Sequence, residues 1–323
     1  MASHRWPVIV APQFDELLSS WLHRLAFANG VAPRAFARVL GLAPGMWSAS
    51  LDLRLPGNTA SQLCTNTGVS LDHLSGMTLS HALPKRILLP LRSSGRRDRS
   101  TWLQFCSRCL AEDPHPYFRR RWRLASRVAC SRHGCRLRDR CPFCRSRIAV
   151  FDQGKLVPQH YCVRCWYDLR RASIVAISPG AKWFDGCIDD IFRSEALSSS
   201  PPGRALVRRL QSIPRLAGSF PESVLTNLST AARTRCVERL TRHLSDWLMN
   251  EEDVDDGVRQ SLIPAADSHS SLVELLVAAL APKRGRPSTA MNGRRPTLDP
   301  AKLFKAHIET LDMRSLSSTG IGQ

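Results

Sequence analysis

The chain has 323 residues, eleven cysteines and a formal net charge of +19, and this length leaves room for two or three compact units. Its hydrophobic fraction of 43% is ordinary for a globular protein and argues against wholesale disorder. No apolar run approaches the roughly 20 residues that a membrane span needs, and the first residues show no export signal. We therefore expect a soluble, cytoplasmic and nucleoid-associated protein without membrane contact, whose thiols stay reduced.

The positive charge is concentrated in one part of the chain. Residues 1–84 carry five basic and four acidic side chains, whereas residues 85–147 carry eighteen basic and four acidic ones. Cations at this density repel one another unless a polyanion neutralises them, and nucleic acid is the usual polyanion. The composition therefore predicts DNA as a partner, although a basic surface without a partner is the simpler alternative.

Residues 1–84 predict an N-terminal helical domain. A first helix is indicated by apolar residues on one face, with Gly30 as its C-terminal stop. A second helix is expected to begin near Pro33 and to end at Gly41. The apolar face of the first helix consists of Leu17, Leu18, Trp21, Leu22 and Leu25.

A second helical pair is expected around 60–67 and 71–74. The intervening Gly68-Val69-Ser70 can form a turn in which Ser70 caps the next helix. This arrangement is compatible with a helix-turn-helix, and ordinary packing of short helices is the alternative.

Residues 85–175 contain four metal half-sites and form a tandem zinc-binding region. Each half-site places two donors two residues apart, which lets both side chains reach one ion, and two half-sites complete the tetrahedron that zinc prefers. Disulfides would require export, a redox role would need a thioredoxin-like context, and iron–sulfur ligation fits a histidine poorly. The donors are Cys106 and Cys109, Cys130 and His133, Cys141 and Cys144, and Cys162 and Cys165.

We expect the half-sites to pair in sequence, giving one site of three cysteines with His133 and a second of four cysteines. A cross-braced arrangement is less compatible with the seven residues between His133 and Cys141. Cys135 is a candidate substitute ligand that would break the two-residue gap. Four protein ligands leave no open position, so both ions would be structural. Cys64, Cys187 and Cys236 stand alone and are expected to be small buried groups.

The zinc block and the N-terminal segment resemble the TniQ/TnsD family of target-site selection proteins from bacterial transposons. The resemblance covers roughly residues 5–175, with Leu17 as a minor departure where the family carries serine. Its motifs in the zinc block are Cys106-x-x-Cys109-Leu110-x-Glu112-Asp113, Pro116-Tyr117-Phe118-Arg119, Trp122-Arg123-Leu124, Cys130-x-x-His133-Gly134, Leu137 and Cys141-Pro142-x-Cys144. Its N-terminal motifs are Pro7, Pro12, Glu16, Trp21-Leu22-x-Arg24-Leu25-Ala26 and Asn29-Gly30.

The resemblance implies a role rather than a reaction. Such proteins recognise an attachment sequence, or a CRISPR-type effector complex already on DNA, and then recruit the transposon's AAA+ ATPase, which engages the transposase. The family resemblance also favours the helix-turn-helix interpretation of residues 60–74.

The segment from Tyr117 to Arg123 alternates aromatic and basic residues. Its arginines could contact phosphates while its rings anchor in the core or stack; alternatively, the arginines are merely solvated. The residues predicted to bind DNA here are Arg119, Arg120, Arg121 and Arg123.

Beyond the zinc block the sequence is less specific. Residues 176–203 read as a connector and linker, and residues 204–281 as a C-terminal helical domain with an apolar stripe beginning at Val224. Residues 282–323 form a basic, partly disordered tail. Its Arg-Gly-Arg-Pro core resembles an AT-hook, which makes Lys283, Arg284 and Arg286 candidates for minor-groove contact.

Together these features predict a mainly α, multi-domain protein with helix-turn-helix-like units around two zinc-ribbon-like sites. We expect a non-catalytic adaptor that binds DNA, the ATPase and a second copy of itself. The rival hypotheses are a zinc-dependent transcription regulator and an enzyme. The enzyme hypothesis lacks a phosphate-binding loop or an HExxH motif in the sequence.

Overall fold

The computed structural model describes residues 5–42, 50–79, 85–91, 100–151, 153–182, 184–185, 207–208 and 210–248, with side chains in the last helix as far as residue 242. Residues 186–203 of the predicted connector and linker lie outside these ranges, as do Cys187 and the AT-hook-like residues Lys283, Arg284 and Arg286. Within the described ranges, no helix has both the length and the apolar character that crossing a bilayer requires.

The N-terminal helices form as the apolar spacing predicts. Helix α1 spans Leu18–Ala28 and helix α2 spans Pro33–Val39. The predicted face of α1 is 0% exposed, because residues three and four apart line one side of a helix. Pro33 occupies the first turn of α2, where its missing N–H costs nothing.

The second pair also folds as two helices joined by a tight turn. Helix α3 spans Gly57–Thr67 and helix α4 spans Leu71–Gly76. Gly68 ends α3 in the left-handed conformation with φ +74°, which a glycine adopts without steric cost. The Ser70 hydroxyl caps α4 by accepting from the His73 N–H at 3.2 Å. The helices are confirmed, while their use as a DNA-binding helix-turn-helix stays a prediction.

The central region contains turns and short helices, and its described residues form isolated bridges rather than extended strands. Antiparallel bridges join Ala129 to Arg136, Arg140 to Arg147 and Tyr161 to Asp168. Helix α5 spans Ser107–Glu112, and 3-10 turns lie at Lys85–Ile87, Arg120–Arg123 and Leu169–Arg171. With few backbone hydrogen bonds between extended segments, this region depends on its side-chain contacts for its shape.

The C-terminal part of the described chain packs onto the central region. Helix α6 spans Ile213–Leu216, a 3-10 turn covers Leu225–Asn227, and helix α7 spans Thr230–Leu248. Helix α7 begins at Thr230 rather than at Val224, which is 43% exposed. The Ser229 hydroxyl accepts from the Ala232 N–H at 3.3 Å and so marks the start of the helix.

Two hydrophobic clusters hold these parts together. The smaller one contains residues from all four helices α1, α2, α3 and α4, and Phe151 from the central region packs into it. The larger one runs from Leu17 through the central region to Val237. The described start of the predicted C-terminal domain therefore shares a core with the zinc-binding region, and the two are not separate packing units there.

His23 connects α1 to the segment that follows the third half-site. Its Nε2 lies 2.8 Å from the Val157 carbonyl, and its Nδ1 accepts from the Phe151 N–H at 3.2 Å. Burial lowers the pKa of His23 from 6.5 to about 4. The neutral ring, with its hydrogen on Nε2, therefore fits this site and the imidazolium does not.

We expect this buried histidine to make folding pH-dependent. Between pH 6.5 and about 4, His23 is protonated in the unfolded chain but stays neutral in the folded chain. The contribution of neutral His23 to the free energy of unfolding is therefore fully present above pH 6.5 and is lost as the pH falls. From pH 7.5 to 5.5 the loss should be about 1 kcal/mol, measured by urea unfolding. His23→Gln can keep both hydrogen bonds but cannot titrate, and it should lose about 1 kcal/mol less over the same interval. Equal losses in the two proteins would contradict this role of His23.

Candidate metal centres

The first candidate centre brings three thiols and one imidazole together. His133 Nδ1 lies 3.4 Å from the Sγ of Cys106, 3.3 Å from that of Cys109 and 3.5 Å from that of Cys130. The sulfurs of Cys109 and Cys130 are 3.5 Å apart, and all four donor atoms lie within 4.8 Å of one another. The first two half-sites thus converge on one point, as sequential pairing predicts.

These distances fit a tetrahedral ion. With metal–sulfur bonds of about 2.3 Å and a metal–nitrogen bond of about 2.0 Å, a tetrahedron separates its sulfurs by about 3.8 Å and a sulfur from the nitrogen by about 3.5 Å. The separations in the centre match this nitrogen–sulfur value to within a few tenths of an ångström. The donor set and its spacing could therefore hold a metal ion of the size and preference of zinc.

Glu112 positions the imidazole. Its Oε2 lies 2.8 Å from His133 Nε2, the ring nitrogen that faces away from the thiols. A hydrogen on Nε2 leaves the Nδ1 lone pair directed at the centre, which is how a carboxylate orients a metal-binding histidine. The hydrogen bond from His133 also lowers the pKa of Glu112. In the sequence this residue is visible only as part of a motif, because its contact with His133 depends on the folding of α5.

Cys135 lies beside the first centre. Its Sγ is 3.6 Å from Cys106 Sγ, as close as the sulfurs within the centre are to one another. His133 is nevertheless the fourth donor of the centre, because its Nδ1 approaches the thiols of Cys106, Cys109 and Cys130, and these four groups lie together.

The second candidate centre consists of four cysteines. Cys141 and Cys165 have sulfurs 3.6 Å apart, and so have Cys144 and Cys162; all four lie within 4.8 Å of one another. The Ser146 hydroxyl lies 3.1 Å from Cys144 Sγ and 3.3 Å from Cys162 Sγ. This hydroxyl can donate to a thiolate and so help to neutralise its charge.

Three of the four half-sites share one backbone turn. The residue after the second donor has positive φ in each: Gly134 at +56°, Arg145 at +60° and Trp166 at +63°. In each turn the N–H of this positive-φ residue donates to the carbonyl of the half-site's first cysteine at 2.7–3.0 Å. The N–H of the first cysteine in turn donates to the carbonyl of the residue five positions later, at 2.8–2.9 Å. The remaining half-site differs, because helix α5 begins between Cys106 and Cys109.

The thiol chemistry also suits metal binding. Hydrogen bonds from the thiols of Cys109 and Cys130 lower the pKa of Cys106. Burial raises the pKa of Cys144, but hydrogen bonds from the hydroxyl and backbone of Ser146 and from two neighbouring thiols outweigh it and lower the pKa to about 6. The thiolate is the form that binds metal. In each centre one sulfur has a lowered pKa while neighbouring thiols, among them Cys109 and Cys141, have raised ones.

The arginines of the aromatic segment face carboxylates of this chain. Arg119 donates to Asp113 at 2.9 Å, and Arg121 donates to Asp15 at 2.6 Å. Arg120 lies 3.5 Å from Asp15 and also reaches the Gly76 carbonyl. Their predicted contacts with phosphate stay predictions, and these ion pairs give each of the three guanidinium groups a partner inside the fold.

The prediction that Arg123 binds DNA is wrong. Its side chain is 0% exposed, and its guanidinium lies 3.3 Å from the equally buried Asp52. No phosphate can reach it, because the ring of Trp102 also covers the guanidinium at 5.1 Å. Of the aromatic residues nearby, Phe118 and Trp122 are buried as expected. The Phe118 carbonyl also accepts a hydrogen bond from the Leu17 N–H at 2.9 Å. The aromatic segment is therefore tied to the start of α1 and forms part of the fold.

Comparison with known proteins finds a family similarity in the N-terminal part of this chain. Residues 7–137 match the family model described as TniQ, and no curated protein matches the chain. The matched segment takes in helices α1–α5 and all four donors of the first centre, and it ends before the second centre begins at Cys141. A TniQ domain associates the chain with transposon target-site selection. Over its residues 7–137 the chain is therefore similar to the TniQ family.

Proposed function

We propose that this chain is a non-catalytic adaptor that selects the target site of a bacterial transposon. It binds target DNA, or a CRISPR-type effector complex on DNA, and recruits the AAA+ ATPase that engages the transposase. The observation that carries this proposal is the TniQ match over residues 7–137, since it covers the helices and the first centre together.

We also propose that each centre holds one structural zinc ion. Four protein donors surround each centre, so no coordination position remains for a substrate or an activated water molecule. A structural ion of this kind contributes on the order of 10 kcal/mol to folding, and it would tie together hairpins whose surroundings are strongly basic. This role supports an adaptor rather than an enzyme.

Recruitment of the ATPase is the direct test of the adaptor. The tagged full chain, loaded with zinc, is mixed with the AAA+ ATPase encoded in the same transposon and with DNA carrying the target, and the ATPase is measured in the recovered complex. We expect recovery that depends on the chain. Tight, sequence-specific promoter binding without any recovery would favour a transcription regulator, and metal-dependent cleavage of DNA by the pure chain would favour an enzyme.

Direct DNA binding predicts a steep dependence on salt. If about six phosphates are neutralised, the logarithm of the association constant should fall with the logarithm of the salt concentration with a slope near −5. Fluorescence anisotropy of a labelled duplex between 50 and 300 mM salt, roughly the range over which such counterion release is measured, gives this slope. A flat response would remove direct DNA contact and leave recruitment through protein contacts alone.

A further inference from the structure

The described surface contains an arginine cleft that is lined by residues 136–140 and 145 and by residues 229–231 at the start of helix α7. It has a volume of about 270 Å³. Four arginines line it, together with the single carboxylate Asp139. We define the arginine cleft by Arg136, Arg138, Arg140 and Arg145.

The carboxylate of the cleft has another partner. Asp139 Oδ2 accepts from the Thr230 N–H at 3.0 Å, at the first residue of α7. Within the part of the chain that the structure describes, no carboxylate lies within ion-pair distance of Arg136, Arg138 or Arg145. These three differ in this respect from Arg119, Arg120 and Arg121, which face carboxylates.

The arginines are close enough to repel one another. Burial lowers the pKa of Arg138, and the positive charges of Arg136 and Arg145 lower it further. Arg138 is held in place by donating to the Ser173 carbonyl and hydroxyl, and Arg140 donates to the Arg145 carbonyl at 3.3 Å. Like charges fixed together in a concave surface favour an anion between them.

Arg145 stands at a backbone position that glycine would fill more easily. Its φ is +60°, and at the same position in the second half-site the chain carries Gly134 with φ +56°. A side chain other than glycine is strained in this conformation, so the turn itself does not require arginine. Trp166 has the same conformation with φ +63°, so the turn also accepts a side chain without charge. The Arg145 side chain is exposed, which leaves its charge available at the cleft.

We propose that the arginine cleft binds the phosphate backbone of duplex DNA. Guanidinium groups pair with phosphate oxygens through two parallel hydrogen bonds, and the cleft offers several of them on one surface. Phosphate contacts of this kind fix the register of a protein on DNA without reading its sequence. This inference rests on the proposed function and assigns its DNA contact to residues outside the aromatic segment.

Arg145→Gly is the sharpest test, because the substitution relieves backbone strain while removing the charge. The full chain loaded with zinc is titrated with a labelled duplex, and zinc content and thermal unfolding are measured alongside. We expect the affinity to fall about tenfold and the salt slope to become shallower by about 0.9, with zinc content and stability undiminished. Arg136→Gln combined with Arg145→Gly should lower the slope by about 1.8.

Arg54→Gln is the matched control, since it removes one exposed charge just before α3. It should leave the affinity within about twofold of the wild type, as expected for a charge outside the contact. If the wild type binds DNA with a steep salt slope and both Arg145 variants bind equally well, the cleft is not the contact and the proposed function stands. Failure of the wild type to bind duplex DNA would overturn the cleft proposal and would leave, of the proposed function, recruitment through protein contacts alone. If the double variant loses zinc, the DNA affinity and salt slope of the single Arg145→Gly variant decide whether the cleft is the contact.

Discussion

Replacing Cys141 by serine is expected to lower the zinc content of the purified chain from two ions to one. Cys141 is 0% exposed, and its sulfur lies 3.6 Å from that of Cys165 in the centre of four cysteines. Because a closed structural site holds its ion through all four donors, the loss of one leaves the metal weakly bound. The second centre should unfold locally, at a cost on the order of several kcal/mol.

The appropriate control is Cys64→Ser, which removes a thiol that lies in helix α3 away from both centres. Elemental analysis of the two variants against the wild type checks the prediction, and limited proteolysis reports the local unfolding. We expect two ions per chain in the control. An unchanged zinc count in Cys141→Ser would remove this cysteine from the metal centre.

Replacing Asp52 by asparagine should destabilise the fold by about 3–5 kcal/mol, the usual cost of leaving a buried charge without its partner. Burial raises the pKa of Asp52 to about 6 and lowers that of Arg123 to about 10, so both are charged at neutral pH. Asp52 also receives the N–H and the hydroxyl of Ser19 at 2.8 and 2.9 Å. The substitution therefore weakens a connection between α1 and the central region.

The exposed Asp72 provides the comparison for this experiment. It lies in the first turn of α4, where a carboxylate contributes only about 0.3–1 kcal/mol through the helix dipole. Urea unfolding at pH 7.5 compares Asp52→Asn with Asp72→Asn. Similar small losses in the two variants would show that the buried pair contributes little to stability.

Much of the local structure follows from the sequence alone. The face of α1 is predictable because its apolar residues repeat at helical spacing, and the turn after α3 is predictable because Gly68 and Ser70 are suited to ending and starting helices. The grouping of the metal donors follows from their two-residue gaps, since such gaps restrict which side chains can meet.

The contacts of the arginines could not be predicted in the same way. Arg121 meets Asp15, which lies 106 positions away, and Arg123 meets Asp52, which lies 71 positions away. No periodic pattern connects such residues, because they meet only after α1 docks on the aromatic segment. The DNA contacts predicted for Arg119, Arg120 and Arg121 stay predictions, and the fold places a carboxylate beside each of them. Among the described residues, no carboxylate lies within ion-pair distance of Arg136, Arg138 or Arg145.

The family match includes the first metal centre but not the second. The first centre lies within residues 7–137, whereas the second centre and helix α7 lie beyond them. These later elements nevertheless pack into the same large core as the first centre. The segment after residue 137 therefore packs against the matched segment and supplies part of the surface that carries the arginine cleft.

Native mass spectrometry of the intact, folded chain measures the bound metal and the oxidation state of the thiols in one spectrum. The seven cysteines and one histidine whose donor atoms converge at two points predict a mass increase of two zinc ions per chain, with no cysteines linked as disulfides. A folded chain that carries no metal, or one in which these eight side chains include disulfide-bonded cysteines, would contradict the account.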